Sequence, residues 1–61
     1  MAKIYKHLKS GGTYKVLGTD AHLEQEGLEG SFYVVYQNVT DGIIWIRDQN
    51  EFFDGRFKEL N

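Results

Sequence analysis

The chain has no cysteine and no proline among its 61 residues. Without cysteine, disulfides and thiolate metal sites are excluded. The two histidines, His7 and His22, are too few for a dedicated zinc site within one chain. No apolar run approaches the roughly 20 residues of a membrane-spanning helix. The start, Met-Ala-Lys-Ile-Tyr-Lys-His-Leu-Lys, lacks the apolar stretch of a secretory signal, so a cytoplasmic protein is expected. Serine occurs only at Ser10 and Ser31, both beside glycine. No nucleophile elbow, phosphate loop or metal-protease spacing is present. So small a domain rarely encloses the dry pocket that catalysis needs, so the expectation is that the protein is not an enzyme.

What remains is aromatic. Four tyrosines, four phenylalanines and Trp45 make 15% of the chain, and each such side chain buries roughly 150–250 Å². The chain reads as one domain over residues 1–61, without repeats or linkers. At this length only about 60% of the unfolded surface is buried, so the core is marginal. Small scaffolds are secured by disulfides, metals, barrel closure or a partner chain. The first two are excluded, which leaves closure or oligomerisation. The formal charge is −2, and it is split along the chain. Lys3, Lys6, Lys9 and Lys15 lie in a stretch without a carboxylate; Asp20, Glu24, Glu26 and Glu29 follow without a lysine or arginine among them. A basic patch attracts phosphate, but the net sign works against nucleic-acid binding.

The periodicity is that of strands. Residues 2–9 alternate, with Ala2, Ile4, Lys6 and Leu8 opposed to Lys3, Tyr5, His7 and Lys9. Ser10-Gly11-Gly12 turns the chain, and Thr13–Leu17 resumes it. Gly18 suggests a bulge, with a twisted continuation over 19–25. Residues 24–31, Glu-Gln-Glu-Gly-Leu-Glu-Gly-Ser, read as an exposed loop. The strongest strand is 32–39, followed by the Asp41-Gly42 hairpin signal and a return over 43–47. Asp48 and Glu51 have the spacing of a capping box at a short 3₁₀ turn, which Phe52 and Phe53 would plug into the end of a barrel. A short last strand carries Phe57. Five antiparallel strands with a 3₁₀ turn before the last predict an all-β, SH3-like barrel. The alternative is an open, strongly bent sheet that closes by pairing with a second chain.

Tyr5-Lys6-His7, Lys9 before the turn, Tyr14-x-Val16-x-Gly18, His22, Val34-Val35-Tyr36, Trp45-Ile46-Arg47 and Phe52-Phe53 together resemble a family of short β-rich domains of unknown function from bacteria and their phages. The resemblance covers nearly the whole chain. Asp48 departs from it, since many members carry proline there, and the insert at 26–30 is longer than in many members. It implies a fold and a bacterial or phage setting, and no activity.

Candidate binding residues lie in two places. Tyr5, His7 and Lys9 share one side of the first strand. Either they stack a ring and hold a phosphate, or Tyr5 covers the barrel while His7 bonds a neighbouring strand. Trp45 and Arg47 share one face of the fourth strand, with Ile44 and Ile46 on the other. If the isoleucines face the core, Trp45 and Arg47 form an exposed pair of hot-spot composition. If Trp45 is core, Arg47 snorkels over it. Tyr36 would join Trp45 in an aromatic patch. No catalytic residue, metal ligand or cofactor is expected. The expected function is a binding module for a protein partner or for a second copy of itself. Its rival is a homo-oligomeric sponge that sequesters a phosphorylated nucleotide between chains, in the manner of small phage proteins that blunt host defences.

Overall fold

The computed structural model describes residues 3–24, 27 and 31–60. Strands β1 (Ile4–His7), β2 (Thr13–His22), β3 (Phe32–Asn38) and β4 (Ile44–Asp48) are followed by a helical turn, α1 (Gln49–Phe52), and by β5 (Phe57–Glu59). All five strands form one antiparallel sheet in the order β4-β3-β2-β1-β5. Among the described residues no helix is long and apolar enough to cross a membrane. The loop expected over 24–31 falls largely, and Ala2 of the first alternation wholly, outside the described residues.

The expected closure into a barrel does not occur. β4 and β5 are the two edges of the sheet, and no ladder joins them. Rings and a guanidinium fill the space between them instead. Phe52, just after β4, stacks on Phe57 of β5 with centroids 4.2 Å apart. Arg47 of β4 lies 5.6 Å from the Phe57 ring centre. The three residues of β5 are all paired with β1.

Local chemistry explains the connections. At the β3–β4 turn the Asn38 side-chain oxygen accepts from the Thr40 and Asp41 amides, at 2.8 and 3.0 Å, and Asp41 accepts from Ile43 at 2.8 Å. Gly42 then takes φ +77°, a conformation costly for any residue with a Cβ. Within β2 the register slips on both sides of Gly18, as its bulge signal predicts, and this bends the long strand. The turn before β5 is α-helical rather than 3₁₀, because the Phe53 amide reaches back four residues to the Gln49 carbonyl at 3.1 Å. Asp48 caps it, accepting from the Asn50 and Glu51 amides at 2.8 and 3.3 Å. Glu51 does not complete a capping box; its carboxylate turns towards Arg47 and Arg56.

Register fixes which face is inside. Tyr5 opposes Tyr14, Val16 opposes Tyr36, and Tyr36 opposes Trp45. Directly opposed residues share a face, so these side chains line one side of the sheet. Tyr5, Val34, Tyr36 and Phe52 are its buried core, with Tyr14, Val16 and Phe57 packed against them. Of the plugging pair, Phe52 is fully buried and Phe53 half-exposed. The inner face is therefore the Tyr5/His7 side of β1. The rings carry more apolar area than Ile4 and Leu8, and their burial decides the matter.

Candidate functional site: an aromatic and cationic hollow

Two adjoining hollows open on the inner face and share His7 and Arg47. The smaller, ≈ 230 Å³, is lined by His7, Tyr36, Trp45 and Arg47, with Ser10, Tyr14 and Phe57. The larger, ≈ 510 Å³, is lined by His7, Leu8, Lys9, Arg47 and Arg56. Aromatic surface thus passes directly into a rim of nitrogen cations.

Each side chain is held by an identifiable element. Arg47 and Trp45 point inward because they oppose Val34 and Tyr36 on β3. The Arg47 Nε donates to the Tyr36 hydroxyl at 3.3 Å. That bond is the largest influence raising the Arg47 pKa above its ordinary value; burial acts the other way. Arg47 is thus a fixed positive charge. Its Nη1 lies 3.9 Å from Glu51 Oε1, and Arg56 Nη1 lies 3.5 Å from the same oxygen. Arg56 Nε also donates to Asp54 at 3.0 Å. One carboxylate therefore bridges two arginines at the mouth of the hollow.

His7 is held by its turn and by β5. Its ring packs edge-on against Phe57, with centroids 4.7 Å apart. The Ser10 amide donates to His7 Nδ1 at 3.2 Å. An amide only donates, so Nδ1 is an acceptor and the neutral ring carries its proton on Nε2. The Ser10 Oγ lies 2.9 Å from the same nitrogen and also accepts from the Gly12 amide at 3.3 Å. The Ser10–His7 pair is thus occupied in closing the turn. Among the described residues no cluster of three or more His, Cys, Asp or Glu side chains is placed to hold a metal ion.

Of the six residues singled out by sequence, His7, Tyr36, Trp45 and Arg47 meet at the smaller hollow, and Lys9 joins His7 and Arg47 at the larger. Tyr5 does not reach either. It is buried against Phe52, with ring centroids 5.2 Å apart. Tyr36 is both core and lining: it is buried, and its hydroxyl accepts from Arg47. Trp45 satisfies neither expected extreme: it lies on the inner face yet remains 49% exposed. Arg56 and Phe57 were missed as site residues. They arrive through the pairing of β5 with β1, where His7 opposes Phe57 and the Leu8 amide donates to the Arg56 carbonyl at 3.0 Å. Nothing local in Asp-Gly-Arg-Phe announces that long-range contact.

Fold and site together define a small, open, all-β domain with an aromatic and cationic hollow on one sheet face. The chain belongs to the family described as protein of unknown function (DUF1653), whose pattern matches residues 3–58. That span contains every residue of both hollows. No curated protein and no solved structure matches the chain.

Proposed function

We propose that this chain is a non-enzymatic binding module, in a bacterial or phage cytoplasm, whose hollow takes an acidic segment of a protein partner. The convergence of His7, Tyr36, Trp45 and Arg47 on one hollow carries this reading. A half-exposed tryptophan beside a fixed arginine has the composition that dominates binding energy at interfaces. Lys9 and Arg56 extend the positive rim and favour carboxylate-rich partners. The strand order β4-β3-β2-β1-β5 is read as that of an SH3-like barrel left open at one seam.

A second reading is favoured by the same rim. His7, Lys9, Arg47 and Arg56 around one space suit the phosphates of a nucleotide, with Trp45 as a stacking platform for its base. Native mass spectrometry of protein purified gently from cells separates the two. A co-purifying protein that Trp45→Ala or Arg47→Ala releases is the expected result, with an affinity loss of about 2 kcal/mol or more for the tryptophan. A retained mass of nucleotide size transfers the site to the second reading. Such a ligand at about 100 times its dissociation constant stabilises the fold by roughly 2.7 kcal/mol, a visible thermal shift. Capture unaffected by either substitution overturns both readings.

A further inference from the structure

β4 presents large apolar side chains at an edge that no described strand pairs with. Ile44, Trp45 and Ile46 are 57%, 49% and 53% exposed. Ile44 and Ile46 lie on the outer face, opposite Gln37 and Val35 of β3. Ile43, just before the strand, is exposed as well. The backbone is equally open. The Asn38 amide donates to the Ile43 carbonyl at 2.9 Å, which sets the phase of the β3–β4 ladder. Antiparallel bonds recur every second residue. Residues 45 and 47 therefore bond towards β3, and the amides and carbonyls of Ile44 and Ile46 point to the free edge. Soluble proteins ordinarily blunt such an edge with charge, proline or a bulge. Within Ile44-Trp45-Ile46 there is none of these.

We propose that a second copy of this chain covers β4, pairing antiparallel with its own β4 about a two-fold axis at Trp45. Three observations favour a second copy over another partner. First, Ile-Trp-Ile reads the same in both directions, so self-pairing about Trp45 sets apolar against apolar on both sides of the two-fold, on one patch shared by both copies. Pairing about Trp45 sets each Ile44 against the Ile46 of the other copy, with both residues in the hydrogen-bonding phase. Second, the charges are compatible. In this register Arg47 opposes Ile43 of the second copy, so within 43–47 no like charges face each other across the seam. Third, the described core holds four buried side chains, a marginal quantity that a continuous ten-stranded sheet would supplement. The pairing uses the backbone edge of β4, while Trp45 stands both at the two-fold and in the wall of the smaller hollow.

Sedimentation equilibrium of the full chain across a wide concentration series tests this, alongside residue-resolved amide hydrogen exchange. The expected mass is twice the 7.1 kDa of the chain, falling to the monomer value in Ile46→Lys with an unchanged circular dichroism spectrum. Lys58→Ala, at the other edge, should leave the dimer intact. The Ile44 and Ile46 amides, free in a monomer, should exchange more slowly as concentration rises. A wild-type mass of 7.1 kDa at every concentration overturns the proposal, as does a dimer that Ile46→Lys leaves intact. Should Ile46→Lys fail to fold, the exchange result decides alone: Ile44 and Ile46 amides that exchange fast at all concentrations overturn it. Loss of the dimer with retained partner capture would leave the hollow's role standing.

Discussion

The two edges of the sheet are built in opposite ways. β5 is three residues long, and the two after its inward Phe57 are Lys58 and Glu59. Glu59 reaches Lys3 at 3.7 Å, and Lys58 opposes Lys6 of β1. Charge and brevity make this edge a poor template for another strand. β4 is five residues long, and three of its side chains are large, apolar and about half-exposed. Both edges donate residues to the hollow, Arg56 beside β5 and Trp45 and Arg47 from β4. Only β4 offers surface beyond it. Charge protects the β5 edge; at the β4 edge apolar bulk stands exposed instead.

The contrast can be erased, weakened on one side, or barely touched. Phe52→Ala should erase it. This ring is fully buried, stacks on Phe57 and packs against Tyr5 and Tyr36, so it ties the two edges to one core. The expected loss is about 3–5 kcal/mol. For so small a domain that amounts to most or all of the stability, and urea titration followed by circular dichroism should find the chain largely unfolded. Asp48→Ala should weaken the β4 side alone. It removes the acceptor of two amides at the start of α1, at a cost of about 1 kcal/mol in the same titration. It also loosens Glu51 and Phe52, so Arg47 should respond in NMR spectra before any β5 residue does. Glu59→Gln should barely register. Its ion pair with Lys3 is exposed, and the midpoint should move by no more than about 0.5 kcal/mol of stability. A larger effect would mean that β5 is held by its charges rather than by Phe57.

The strands and hairpins were legible because their signals are local. Asp41-Gly42 marked the tightest turn, Gly18 the irregular strand, and Asp48 the cap. The inward face of each strand was not legible in the same way. In β1 the alternation sets Ile4 and Leu8 against Tyr5 and His7, and hydrophobicity alone favours the aliphatic pair. Register across Tyr14, Tyr36 and Phe57 reverses the choice, and register is a property of several strands together. The same holds for β4, where residue type left both faces open and register makes Ile44 and Ile46 the outer ones. Closure was misjudged for a related reason. Strand count and order were readable, but the seam depends on whether Phe52 and Phe57 fill the gap or leave room for a ladder. Lys9, Trp45 and Arg47 could be named as candidates from residue type; Arg56 could not, because only the return of β5 to β1 brings it near His7.

Glu51 carries a last consequence. It already bridges Arg47 and Arg56, so the hollow is a site with its own counter-ion in place. On the proposed reading, an arriving anion would exchange with this carboxylate rather than simply add to the site. A single carboxylate would replace like with like, whereas two neighbouring acids on one segment would outcompete the tethered one, so the hollow would select by valence.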